Sequence, residues 1–353
     1  MDQLSAHLDR GWDLINKGDL RGARSSARRA LEIDKDSPEA HNLLGYTAAQ
    51  EGDPEEALEH YRQAMALDDG YIDPMLNAAE VLIHPLHEYD EAVSLCDEVL
   101  DFAEGREEIC EALLLKFDAL LAKGEEDGAR ATLEALPDGP VEGPVFPFLI
   151  GRAWYELGEV ERAEPFLTDA VREDPRNADA HYYLGLVHDA REHWRQATLS
   201  FMEARDLDLA APAVRWSLPR EQFHRHVERA LQGLEARFLA HLEGALVLVT
   251  DAPGMEMVVD GVDPRAPLLV EGFDQAHRDR EDGPRMFVYQ RNIEKLCRGP
   301  EYLEEELAWQ FTEELQHLLE AAPASLPAVI PAPSPAPPKD DPGTRKKPRK
   351  KDL

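Results

Sequence analysis

The chain has 353 residues, with 71 Asp and Glu against 38 Lys and Arg and a formal net charge of −33. That length buries a sizeable core in roughly two to three domains. So acidic a balance argues against a general affinity for nucleic acid or anionic membrane, which needs clustered cations. Three cysteines, Cys96, Cys110 and Cys297, lie far apart without a ligand spacing, a set that fits a reducing compartment and no disulfide framework. The amino-terminal MDQLSAHLDRGWDL lacks a basic and an apolar export region, and no apolar stretch approaches the ~20 residues of a membrane span. A soluble, cytoplasmic protein is expected.

A periodicity organises the first two thirds. Ala23, Ala57, Ala92, Ala129, Ala163 and Ala197 are spaced by 34, 35, 37, 34 and 34 residues. Seven residues after each stands Ala30, Ala64, Val99, Leu136, Ala170 or Ala204, so one helical face returns in every cycle. Gly18, Gly52, Gly124 and Gly158 lie five residues before members of the first set, where a turn between helices belongs. Gly11, Gly45, Gly151 and Gly185 lie seven residues earlier again, where small residues let two antiparallel helices approach.

The clearest units read PEAHNLLGYTAAQEGDPEEALEHYRQAMALD and ADAHYYLGLVHDAREHWRQATLSFMEARDLD, with Leu44-Gly45, Ala57, Tyr61 and Ala64 matching Leu184-Gly185, Ala197, Phe201 and Ala204. A period near 34 with these residues resembles the tetratricopeptide repeat (TPR) family, over about six units. The third and fourth units depart, with an insertion at His84–Tyr89 and long connections at Ala103–Glu108 and Asp138–Gly143. The resemblance implies an α-solenoid whose first helices line a concave groove for a protein or peptide partner. Outward-facing candidates on those helices are Asn42, Tyr46, Arg152, Tyr155, Tyr182 and Asp189. The groove has no evident cluster of Lys or Arg, so it does not resemble the clamps that grip acidic peptide ends.

Ala211–Arg220 holds two prolines and breaks the period, which marks a boundary. Phe223, Val227, Leu231, Leu234, Phe238 and Leu242 then predict one amphipathic helix. Ala245–Thr250 reads as a buried strand, Pro267–Gly272 and Arg285–Tyr289 as further strands, and Asn292–Cys297 and Pro300–Glu320 as helices. This order predicts a small α+β domain.

Within it, LLVEGFD (Leu268–Asp274), FVYQRNIEKLC (Phe287–Cys297) and EYLEEEL (Glu301–Leu307) are similar to segments of the bacterial minimal zincin-like metallopeptidase family. The resemblance implies a zinc helix bearing H-E-x-x-H, in which two His at i and i+4 hold Zn²⁺ and the Glu acts as base. Carried over without gaps, that helix falls on Glu313-Glu314-Leu315-Gln316-His317. The first His position is then Glu313, the base position Glu314 and the second His position His317. Ala321, Ala322 and Pro323 stand where the family has its third ligand. The motif is degenerate, and the reading adopted is a pseudoenzyme: a non-catalytic, protein-binding scaffold or adaptor without a cofactor. The alternative is a zinc-dependent peptidase with altered ligands (Glu313, His317 and Glu320), whose repeats recruit substrate.

The pairs His224 with His226 and His181 with His188 show no acidic or Cys partner at ligand spacing and read as packing or surface residues. The cysteines read as buried thiols. Ala321–Pro338 holds seven prolines, and Lys339–Leu353 carries seven Lys or Arg against three Asp. This end reads as a disordered tail, and a grip on nucleic acid or an acidic partner through it is the sharper alternative. The expected division is helical repeats over 1–211, a linker over 212–222, a degenerate zincin-like domain over 223–320 and a tail over 321–353.

Overall fold

The computed structural model describes residues 3–321 apart from 140, 142, 144, 243 and 273–283. The tail from 322 onward, Phe273 and Asp274 of the LLVEGFD segment, and the Ala322 and Pro323 positions lie outside the described residues. The chain divides into two compact units. One takes Met1–Pro212 and Pro253–Pro264, the other Ala213–Ala252 and the residues from Arg265.

The first unit begins with six helix pairs. They are α1 (Gln3–Asn16) with α2 (Leu20–Ile33), α3 (Pro38–Glu51) with α4 (Pro54–Leu67), and α5 (Ile72–Ile83) with α6 (Tyr89–Phe102). Then follow α7 (Arg106–Ala122) with α8 (Glu126–Glu134), α9 (Val145–Glu156) with α10 (Val160–Glu173), and α11 (Ala178–Ala190) with α12 (Trp194–Ala210). Local chemistry starts several of them. The Asp19, Ser37, Asp53 and Asn177 side chains accept backbone N–H bonds at helix N-termini, and Pro38 and Pro54 open the first turns of α3 and α4.

The periodic alanines are the seam of each pair. Ala23, Ala57, Ala92, Ala129 and Ala163 have no exposed surface and Ala197 only 3%. Five residues before each, the turn between the helices holds a residue at positive φ: Gly18, Gly52, Gly124 and Gly158, but His87 and Glu192 in the third and sixth pairs. At Gly45 an added Cβ would stand 2.5 Å from the Tyr61 ring, and at Gly185 2.5 Å from that of Phe201. The small residue on the first helix is thus the seat of the aromatic on the second. Leu136 departs from the expected face: α8 ends at Glu134, before the Pro137–Gly139 bend, so this pair has a short second helix.

Successive pairs stack, each second helix packing on the next first helix, while the first helices touch one another in a single row, α1–α3–α5–α7–α9–α11. Each pair leaves an apolar face that only its neighbour covers, so burial is repeated along the unit. The unit ends on α15 (Met255–Val259), which packs on α12.

The second unit comprises α13 (Arg220–Gln232), α14 (Ala236–His241), β1 (Leu246–Thr250), β2 (Leu268–Glu271), β3 (Arg285–Tyr289), α16 (Gln290–Leu296), a 3₁₀ turn at Pro300–Tyr302 and α17 (Leu303–Ala321). The single helix expected over Phe223–Leu242 is two: the chain breaks at Gly233, whose N–H bonds back to Arg229 and Ala230, and resumes at Ala236. Helix α13 also starts inside the segment read as linker. The sheet order is β1-β3-β2, with β1 parallel and β2 antiparallel to β3. Phe223, Val227 and Phe238, the inward residues Met286 and Val288, and Leu303, Leu307, Phe311 and Leu315 at four-residue steps form its core.

Buried polar groups tie this core to its loops. Glu294, only 1% exposed, accepts from Ser217 Oγ (2.6 Å), the Leu218 N–H (3.0 Å) and Gln290 Nε2 (2.8 Å). Asn292 Nδ2 donates to the Ala266 carbonyl at 2.8 Å. The Phe287–Cys297 stretch singled out in the sequence therefore spends its polar residues on holding the chain before α13 and β2.

Candidate functional site

The row of first helices holds the six groove candidates, and the structure gives them different roles. Asn42 is 1% exposed: its Nδ2 donates to Tyr71 Oη (3.0 Å) and its Oδ1 accepts from Asn77 Nδ2 (3.1 Å). It is an internal tie between repeats and not a free contact residue. Tyr46 is half-buried, its ring edge-on to Trp12 with centroids 5.3 Å apart. It borders a hollow of about 230 Å³ lined also by Tyr61, Asn77, Glu80 and His84.

Arg152 stands at the edge of a second hollow of about 400 Å³, with His84, His87, Tyr89, Asp118 and Glu156. One guanidinium nitrogen reaches both Asp118 oxygens, at 2.9 and 3.0 Å. Arg152 Nε lies 3.5 Å from Glu156 and is buried without a hydrogen-bond partner. Tyr183 Oη donates to Glu156 at 3.3 Å, and the Tyr155 ring meets that of Tyr183 edge-on at 5.7 Å. Burial raises the carboxyls of Asp118 and Glu156 above the usual range, and the Arg152 charge only partly opposes it. For Arg152 burial works against the charge, but Asp118 and Glu156 outweigh it and its pKa rises. Burial pushes Tyr183 up to about 12, and Tyr155 is raised by burial and then by Asp189. Asp189 itself is exposed.

Sequence spacing did not reveal Asp118, Glu156 and Tyr183, because the cluster forms across α7, α9 and α11. Each residue alone looks like an ordinary polar position. Further along the row, Glu111 on α7 is raised by desolvation and by the like charges of Glu80, Asp73 and Glu108. Tyr182 is already engaged: its hydroxyl donates to Asp263 Oδ2 at 2.8 Å.

On α17, Glu313 and His317 are exposed and Glu314 is half-buried. Burial raises the Glu314 carboxyl, against the pull of His317. Two corrections concern the other histidines. His226 Nδ1 lies 2.8 Å from Glu304, and His224 pairs with Glu228 at 3.4 Å. His188 Nδ1 lies 3.8 Å from Glu164, with His193 nearby, and these three offer ligand atoms within 4.8 Å of one another. The cysteines are all free and buried; burial raises Cys96 to about 12 and Cys297 to about 11, so they are poor nucleophiles. Among the described residues no helix is long and apolar enough to cross a membrane.

A family model described as a tetratricopeptide repeat matches residues 8–72 and 148–193, and a second of the same description matches 48–109. The chain is 23% identical over 302 residues to cellulose synthase operon protein C of Pseudomonas fluorescens, a match over 80% of this chain that spans only 23% of that relative. Among solved structures it resembles PilF of Pseudomonas aeruginosa (TM-score 0.50, 20% identity, 58% of this chain and 91% of that one). It likewise resembles PilW, described as a type IV pilus biogenesis factor (TM-score 0.50, 17% identity, 57% and 92%). At such identities these likenesses concern the fold. Over the matched residues, 8–109 and 148–193, the helix pairs are tetratricopeptide repeats.

Proposed function

We propose that this protein is a non-catalytic scaffold whose row of first helices binds a protein segment rich in basic side chains. The observation that carries the reading is the electrostatics of that row. Asp118 and Glu156 line one hollow and Glu80 the other, Glu111 feels the charge of Glu80, and the raised carboxyls of Glu111, Asp118 and Glu156 mark acidic groups held in partly desolvated surroundings. Arg152 neutralises only part of this charge. A Lys or Arg of a partner entering beside His84 relieves like-charge repulsion, and Tyr155 and Tyr183 offer ring surface to its aliphatic stem.

The test is a titration of the purified chain with labelled short peptide pools, one rich in Lys and Arg and one rich in Asp and Glu. Saturable, salt-weakened binding of the basic pool is expected, and Glu80→Lys combined with Glu156→Lys lowers its affinity at least about tenfold. Equal binding of both pools, or of neither, overturns the reading.

We read the second unit as zincin-like and inactive. Supporting this, Glu313 and His317 offer two ligands from one helix, short of the three protein ligands of a catalytic zinc. The zinc-dependent peptidase reading has Glu314 as base and draws support from its raised carboxyl. Near-stoichiometric zinc that His317→Ala abolishes would favour the peptidase.

A further inference from the structure

We propose that Glu164, His188 and His193 form a zinc site at the joint between the fifth and sixth helix pairs, remote in sequence from the degenerate positions on α17. The three residues come from α10, the last turn of α11 and the N-cap of α12. The His193 N–H donates to the His188 carbonyl at 2.8 Å, and Glu192 at φ +59° turns the chain between them. The two imidazoles are thereby held on one side of the turn, with centroids 6.1 Å apart.

The donor atoms lie within 4.8 Å of one another. Zinc with bonds of about 2.0–2.2 Å spans donors roughly 3.4 Å apart in a tetrahedron. Side-chain rotation of about 1 Å closes that difference. His188 Nδ1 is buried with no hydrogen-bond partner and faces Glu164 Oε1 at 3.8 Å, so one acceptor-capable nitrogen is left for a ligand. The other Glu164 oxygen is paired with Arg191, which orients the carboxylate as outer partners of metal ligands do.

Two imidazoles and one carboxylate suit zinc and disfavour the hard cations Mg²⁺ and Ca²⁺, which take oxygen ligands. A fourth position is open to water or to a partner's side chain. Bound there, the ion clamps α10 to the α11–α12 turn and stiffens the last two repeats.

The experiment uses the full chain stripped with chelator, then titrated with zinc chloride by calorimetry and counted for zinc by elemental mass spectrometry. Wild type is compared with Glu164→Gln, His193→Ala and His317→Ala, each checked by circular dichroism for retained fold. About one zinc per wild-type chain is expected. Glu164→Gln and His193→Ala each lose at least about tenfold in affinity while His317→Ala keeps it. No zinc in wild type, equal binding by all four, or loss confined to His317→Ala overturns the proposal.

Discussion

The Tyr182 hydroxyl donates to Asp263 Oδ2 at 2.8 Å across 81 residues of chain. Arg205 Nε makes a parallel tie, donating to the Pro253 carbonyl at 2.6 Å. Together they fasten the 253–264 segment to α11 and α12, so α15 closes the end of the repeat stack, where an uncovered apolar face would otherwise remain. Tyr182→Phe is expected to lower stability by about 1 kcal/mol. It also speeds hydrogen exchange of the Met255–Val259 amides relative to those of α3. Unchanged exchange in α15 would show that the tie does not hold the segment.

Glu294 accepts three hydrogen bonds within the second unit. Its removal in Glu294→Ala leaves Ser217 and the Leu218 N–H without their acceptor in a buried place. A loss of about 2–4 kcal/mol is expected in denaturant unfolding of that unit. Glu294→Gln keeps one acceptor oxygen and is expected to lose less. A change within about 0.5 kcal/mol for the alanine variant would show the bonds to be dispensable.

Glu192 occupies the left-handed turn position that glycine fills in four other pairs. A side chain strains such a turn, so Glu192→Gly is expected to raise stability by roughly 0.5–1 kcal/mol in spite of the freer unfolded chain. Thermal melting measures it, and a lower midpoint contradicts the strain argument. The substitution leaves Glu164, His188 and His193 in place.

Gly45 tests the seam of a single repeat. A Cβ there would stand 2.5 Å from the Tyr61 ring. Gly45→Ala is expected to destabilise by about 1–3 kcal/mol through overpacking. The double variant Gly45→Ala with Tyr61→Leu should lose less than the sum of the singles, because the clash is shared. Strict additivity would place the effect elsewhere.

The ring nitrogens His41 Nδ1 and His60 Nδ1 lie 3.2 Å apart, so at least one ring must stay neutral for the pair to bond. Burial lowers both pKa values from 6.5, and each also feels nearby charges, His60 that of His41. Above 6.5 both states are neutral and the native state keeps its full stability. As pH falls below 6.5 the unfolded chain takes up protons that the folded one resists, so stability is lost. The melting midpoint is expected to drop between pH 7 and pH 5.5, and His60→Gln to flatten part of that slope. An unaltered slope in the variant would assign the pH dependence to other groups.

The repeats were legible from sequence because their requirements are local and recur. A buried alanine, a positive-φ residue five positions before it and a small seat for an aromatic are each set by sterics within one helix pair. The α17 stripe of Leu303, Leu307, Phe311 and Leu315 was legible for the same reason: its periodicity reports which face is covered. The strand within Ala245–Thr250 was legible as a strand but is not the buried one expected, since β1 lies at the sheet edge with Leu246 55% exposed and the rest half-buried. The break at Gly233 was not legible, since the apolar spacing continues through it while the backbone does not. The functional clusters belonged to the tertiary structure alone. Asp118 meets Arg152 and Glu164 meets His188 because helices from different repeats stack, and Tyr182 meets Asp263 because the 253–264 segment is tied to α11 and α12; no spacing within one helix encodes a neighbour's side chain. The sequence by itself determined that this chain stacks helix pairs. The packing decided which of its ordinary polar residues became half-buried charges, internal ties or a candidate metal site.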